Sequence, residues 1–241
     1  MALKIQNFFF HTIFLWVAVT LINGCNSIDK ESYGYLYRQT NTQTPQLWYC
    51  SAEGEIVNPG MPVPGLISGN KIIFQLNEND TVNCTYRLNG SRLNITTENG
   101  KEFIFNRQFG VKAAAPLYNT RFELSGQIGL QPPPDGSSPV WIGMDSKTQQ
   151  LYGFGAANRF GCAFRYRTIF QNEYCITGRI RFFALGYEGT QTVNTEWEKD
   201  FFDRLLDMNS FLLVGDTLYL GNGEQFFMAF TAKDEWKLME R

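Results

Sequence analysis

Three Asn-Gly pairs, Asn89-Gly90, Asn99-Gly100 and Asn222-Gly223, each fall between two short runs of β-type residues. Asn and Gly both tolerate the positive φ that a tight turn requires, so this dipeptide between such runs is a strong hairpin signal. Lys71-Ile-Ile-Phe-Gln-Leu leads to Thr81-Val-Asn-Cys-Thr-Tyr-Arg, and Ser91-Arg-Leu-Asn-Ile-Thr follows the first turn. Glu102-Phe-Ile-Phe-Asn-Arg follows the second, and the third sits between Thr217-Leu-Tyr-Leu and Gln225-Phe-Phe-Met-Ala-Phe. Residues 46–112 are therefore predicted as a small antiparallel β domain, a meander or barrel-like. Ala113-Ala-Ala-Pro116 marks the seam to a second domain at 117–233, with a tail at 234–241.

The second domain adds a helix to its strands. Thr120-Arg-Phe-Glu-Leu-Ser-Gly, Val140-Trp-Ile-Gly-Met, Gln150-Leu-Tyr-Gly-Phe, Arg179-Ile-Arg-Phe-Phe-Ala-Leu and Phe211-Leu-Leu-Val read as strands. Three consecutive prolines cannot sit within a central strand, so Gln131–Pro139 is an exposed excursion. Thr195 with Glu198 three residues on makes a capping box, with Glu198 returning a bond to the Thr195 backbone. Trp197, Phe201, Phe202, Leu205 and Leu206 then form one apolar stripe at helical spacing. Lys199–Asp203 and Asp200–Arg204 are predicted as i,i+4 ion pairs on the wet side. The fold class is α+β, mostly antiparallel β, with one principal helix.

The N-terminus reads as an address. Lys4 precedes a mostly apolar stretch from Phe8 to Leu21, and Gly24-Cys25 follows. A short positive region, an apolar run too short to span a bilayer and a small residue before the cut make a secretory signal at residues 1–24. A cysteine just after that small residue fits the lipobox, so Cys25 is the predicted lipidation site and its lipid the membrane partner. Asn26 follows where an aspartate would resemble an inner-membrane retention signal. The expected location is therefore the outer membrane, facing the periplasm. The polar, Thr/Gln/Asn-rich stretch to residue 45 is predicted as a tether, residues 25–45.

Export shapes the chemistry that remains. Losing Lys4 leaves 20 basic residues against 23 acidic ones. No basic cluster stands out along the chain, so no nucleic-acid partner is expected. Cys50, Cys84, Cys162 and Cys175 remain once Cys25 is lipidated, an even set that reads as two disulfides in an oxidising compartment. Proximity along the chain favours Cys50–Cys84 and Cys162–Cys175, though four cysteines allow three pairings. The single histidine, His11, leaves with the signal, which removes histidine-dependent catalysis and His-ligated zinc. No phosphate loop, CxxC or HExxH is present. A carboxylate pair would suffice for glycosidase chemistry, yet none is singled out. The reading is of no catalytic residues, no metal and no cofactor.

Several of these features together resemble a known family. The opening strand Arg121-Phe-Glu-Leu, the glycine-rich Gly153-Phe-Gly-Ala-Ala-Asn-Arg-Phe160, the acidic-aromatic helix Glu198–Leu206 and the closing strands resemble the META domain. That domain typifies HslJ-like heat-inducible envelope lipoproteins, and the resemblance covers about residues 118–232. This chain reads Ala156-Ala157-Asn158 where the family usually has Gly-Cys-Asn, and it lacks the later cysteine before the helix. The resemblance implies a non-catalytic, stress-related envelope module. Trp48-Tyr-Cys-Ser, in the first half, resembles the start of lysozyme-inhibitor lipoprotein barrels over a few residues only.

If the resemblance holds, Asn158 and Arg159 lie on a bend between strands. Asn158 then either presents its amide to a partner or satisfies backbone groups across the bend, the ordinary work of a turn asparagine. Trp141 and Tyr152 are candidates to stack on a glycan, although aromatics in strands are usually core. The expected function is an envelope binding module with a protein or glycan partner. The alternative is an inhibitor of a hydrolase such as lysozyme or a protease, with Gln131–Pro139 as its inserting loop.

Overall fold

The computed structural model describes residues 34–235, apart from 41, 44, 189–194 and 224. The leader, Cys25 and the residues beyond 235 lie outside the described set, as do the side chains of Thr195, Asp234 and Glu235. Strands β1 (Gly34–Gln39), β2 (Leu47–Ser51), β3 (Glu55–Val57), β4 (Gly65–Ser68), β5 (Lys71–Gln75), β6 (Thr81–Asn89), β7 (Arg92–Thr97) and β8 (Glu102–Gly110) follow in order. Each pairs antiparallel with the next, and β8 returns to β1, which closes a barrel. Closure leaves no sheet edge with a row of unpaired backbone groups.

A second closed barrel comprises β9 (Thr120–Gln127), β10 (Trp141–Asp145), β11 (Gln150–Phe154), β12 (Arg159–Gln171), β13 (Cys175–Glu188), β14 (Ser210–Val214), β15 (Thr217–Asn222) and β16 (Gln225–Glu235). Helix α1 (Thr195–Asp207) is inserted between β13 and β14. The chain is thus α+β and dominated by antiparallel strands, as its periodicities require. Residues 113–116 lie between β8, the last strand of the first barrel, and β9, the first of the second.

The tether expectation is corrected in part. Residues 34–39 form β1, so the first domain begins at 34 rather than 46. Leu36 and Tyr37 are both buried, and without this strand β2 and β8 would each be a bare edge. The polar composition of the flanking residues hid a strand needed for closure. The second domain likewise runs to Glu235 rather than 233.

Both barrel interiors are filled. Trp48 packs in the first against Phe74 and Phe105, with ring centroids 5.9 and 5.4 Å apart. Eight strands enclose only enough room for such side chains. Phe122, Phe164, Phe211 and Phe230 fill the second and are fully buried. Helix α1 lays its stripe on that core: Phe201 and Leu205 are fully buried, Trp197 and Phe202 nearly so, and Leu206 half-buried. Phe160 meets Phe201 edge-on at 5.9 Å and Phe202 at 4.9 Å.

The two barrels share a third core. All three of Leu47, Trp48 and Tyr49 are buried, which breaks the alternation of a half-exposed strand. Trp48 points inward, while Leu47 and Tyr49 point outward against the second barrel. β14 mirrors this pattern: Phe211 and Leu213 face its own barrel, and Leu212 and Val214 face the seam. Each fully buried apolar side chain of this kind contributes roughly 1.5–3 kcal/mol. Polar ties frame the seam: Arg179 Nη2 donates to the Gly60 carbonyl at 3.0 Å, and Ala115 N donates to that of Gly215 at 2.7 Å.

Candidate functional site

The bend at Gly155–Asn158 is held by one side chain. Glu198, in the first turn of α1, is only 3 % exposed. Its Oε1 accepts from the Ala157 and Asn158 backbone N–H groups at 2.8 Å each. Its Oε2 accepts from Asn158 Nδ2 at 2.5 Å. Both carboxylate oxygens are thus engaged by a bend forty residues away, while the side chain of Thr195, the expected cap, lies outside the described residues. Gly155 permits the approach: a Cβ there would lie 2.9 Å from the Phe202 ring and 3.0 Å from Glu198 Oε1. Ala156 sits at φ 92°, a conformation that costs a non-glycine residue energy and that the clamp sustains.

Asn158 is therefore a buried structural residue, 6 % exposed, and does not present its amide to a partner. Arg159, next along, is exposed and heads β12. Strand register brings it to one outer face of the second barrel with the other candidates. Trp141 pairs with Phe154, which pairs with Arg159, while Tyr152 lies one row along between Gly143 and Gly161. Trp141 and Tyr152 are half-buried rather than freely exposed. The Arg121 guanidinium lies 5.2 Å from the Trp141 ring centroid and pairs with Glu123 at 2.6 Å. Tyr152 rests over Gly161, with a ring carbon 3.5 Å from where a Cβ would stand. Gly161 thus leaves room for the ring on that side.

The excursion at 131–139 is exposed at its tip and anchored at its base. Trp197 Nε1 donates to the Gln131 carbonyl at 2.7 Å, and Gln127 Nε2 reaches the same oxygen at 2.8 Å. Arg204 Nη1 donates to the Ile128 carbonyl at 3.1 Å, and Nη2 donates to that of Gly129. Arg204 is therefore engaged by the loop rather than by Asp200. Of the two helix ion pairs anticipated, Lys199–Asp203 is present at 2.7 Å, and the bond to Asp203 is the main cause raising the Lys199 pKa.

The described residues contain no disulfide bond, and all four cysteines are thiols. This corrects both predicted bridges. Cys162 faces the interior of the second barrel while Cys175 faces the seam, so their side chains leave opposite sides of the sheet. Cys50 on β2 and Cys84 on β6 are four strands apart in an eight-strand ring, on opposite walls. A disulfide needs Cα atoms within about 7 Å. Burial pushes the Cys162 thiol up to about 12 and the Cys175 thiol well above its ordinary value.

Two further features escaped sequence reasoning. A cleft of about 190 Å³ opens between the barrels, walled by Leu36, Leu47 and Phe109 on one side and Tyr219, Phe226 and Ile128 on the other. Arg38 stands exposed among these residues. Burial pushes the Tyr219 phenol up to about 12, with the Arg38 charge acting to lower it. The second feature corrects the expectation that no basic cluster exists: pairing of β12 with β13 sets Arg165 opposite Arg181 and Arg167 opposite Arg179. The chain matches no family model, no curated protein and no solved structure.

Proposed function

We propose that this chain is a non-catalytic lipoprotein, anchored in the outer membrane by lipid on Cys25 and facing the periplasm, that binds an envelope component between its barrels. The observation that carries the reading is the inter-barrel cleft, with apolar walls from both barrels and one cation, Arg38, beside them. Small-molecule sites are mostly apolar concavities with a few polar groups that fix orientation. An anionic ligand with an apolar body matches that lining. The resemblance of residues 118–232 to the META domain adds the stress-related envelope role.

The test is titration with anilinonaphthalene sulfonate, an anionic aromatic probe whose fluorescence rises on binding. Arg38→Gln should weaken saturable binding roughly tenfold, the worth of one charge-assisted hydrogen bond. Phe109→Ala should weaken it as well. Binding unchanged by both substitutions would overturn the cleft as the site. The anchor is tested apart: Cys25→Ser should abolish acylation and peptidase cleavage, and a variant still maturing at residue 25 on membranes refutes it.

The anchored loop favours a second reading, inhibition of a hydrolase. A rigid exposed loop loses little conformational freedom on entering a cleft. Four carbonyl contacts from Trp197, Gln127 and Arg204 pin its base. Inhibition of lysozyme or a protease that disappears when residues 132–138 are replaced by Gly/Ser would favour this reading over the first.

A further inference from the structure

The two cross-strand arginine pairs work against the sheet that carries them. Phe164, Ile180 and Phe182 are buried inside the barrel, so Arg165, Arg167, Arg179 and Arg181 point outward. Arg165, Arg167 and Arg181 are exposed and Arg179 is half-buried. The ion pairs found are Arg121–Glu123 and Lys199–Asp203, so none of the four arginines has a carboxylate partner among the described residues. Arg179 is tied to the other barrel through the Gly60 carbonyl. Arg165 lies 5.6 Å from the ring centroid of Phe183, itself 38 % exposed. Like charges directly opposite on a sheet destabilise it, and with no carboxylate among the described residues to offset them the arrangement breaks a local rule, as functional surfaces do.

Shape and placement indicate the partner. Neighbouring strands are about 4.8 Å apart and alternate residues along a strand about 6.8 Å, so the four charges are gathered on one patch of the ribbon. An exposed aromatic sits at its border, on the outside of a two-stranded ribbon. With 20 basic and 23 acidic residues after the leader, the rest of the processed chain is more acidic still, so an anionic plane attracts this face and repels the others. The chain enters the first barrel at Gly34, whose carbonyl accepts from Val111 N at 3.0 Å. Val111 shares the seam core with Phe170 and Cys175, at the hairpin end of β12 and β13. Gly34 lies nine positions after Cys25, a reach of at most about 30 Å.

We propose that the Arg165–Arg181 and Arg167–Arg179 face docks on an anionic phospholipid surface and lays the β12–β13 ribbon against the membrane that holds the Cys25 lipid. The orientation rests on the lipoprotein reading above; the binding itself does not. The test uses the processed chain, residues 25–241, with Cys25→Ser so that no acyl chain contributes. It is floated with vesicles of phosphatidylcholine, with or without phosphatidylglycerol. The chain should partition onto the phosphatidylglycerol vesicles alone and be released by high salt. Arg165→Gln with Arg181→Gln should lower that partition about 30-fold, from about 1 kcal/mol for each arginine near an anionic surface. The same double variant should melt no lower than the parent, since it removes a like-charge pair; this separates lost binding from lost folding. Arg87→Gln with Arg92→Gln, exposed on the first barrel, should leave partition unchanged. Equal partition on both vesicle types, equal loss in the control pair, or binding of duplex DNA without vesicle binding would each overturn the proposal. Failure here with Cys25 still acylated in cells would leave the lipoprotein reading standing.

Discussion

Replacing Glu198 tests whether one carboxylate organises the junction between helix and barrel. Its two oxygens satisfy three donors, of which Asn158 N and Asn158 Nδ2 belong to a residue 6 % exposed. Glu198→Ala removes the acceptor and leaves those two buried donors unpaired. At about 1–3 kcal/mol for each buried orphan, with some relief as the bend relaxes, the cost is about 3–5 kcal/mol. Glu198→Gln behaves differently because Asn158 Oδ1 is buried with no partner. The new amide oxygen can still accept from both backbone N–H groups. If Asn158 flips its amide, its Oδ1 accepts from the new NH₂ group, and the number of orphaned atoms stays the same. Three charge-assisted bonds become neutral ones, about half as strong, so the cost is about 1–2 kcal/mol. Urea unfolding followed by tryptophan fluorescence measures both, with Trp197 reporting from the same helix. A two-barrel chain requires coincident fluorescence and circular dichroism transitions before the midpoints are converted to energies. Equal losses in the two variants, or an Ala variant within about 1 kcal/mol of the parent, would refute the clamp.

Phe201→Ala should cost about 3–5 kcal/mol because its ring is fully buried, and Lys199→Ala almost nothing because its partner Asp203 is exposed; the reverse ordering in thermal melts would turn the helix over. Alkylation of the processed chain in denaturant without reductant should modify Cys50, Cys84, Cys162 and Cys175, and a cross-linked peptide in the digest would contradict their placement on opposite walls of one barrel and opposite faces of the other. In the native state Cys162 should react slowly at pH 8, since burial holds it protonated up to about 12. Tyr219 should ionise near 12 rather than 10.0, so its contribution to stability is present below pH 10 and falls away as pH rises between those values. Arg38→Gln should move that ultraviolet titration higher still, and no movement would mean that the cation does not face the cleft.

Much of the architecture was legible from local pattern. Hairpins at the three Asn-Gly pairs, the exposed proline excursion and the helix stripe all depend on residues a few positions apart, which is the range over which turn chemistry and periodicity act. Even there the register shifted slightly: Asn89 pairs with Arg92, so the two-residue turn is Gly90-Ser91, with Gly90 supplying φ 60°. β1 was missed because its flanks are polar, and its role, closing the ring against β8, depends on a strand 63 residues or more away.

What the sequence by itself determined was the hairpins at the Asn-Gly pairs, the helix and the apolar face of each. The tertiary structure decided which faces meet. Leu47 and Leu212 look like ordinary strand residues until a second barrel covers the outer side of their sheets. Glu198 reads as a local cap in the sequence, and only the fold brings the bend at 155–158 to it with three donors. Cys162 and Cys175 look close in sequence and leave opposite sides of one sheet. The four arginines are scattered between residues 165 and 181 and become neighbours only through the β12–β13 register. The reason is common to all of these. Propensity and periodicity orient a side chain relative to its own element, whereas its partner is set by closure, register and docking between elements distant along the chain.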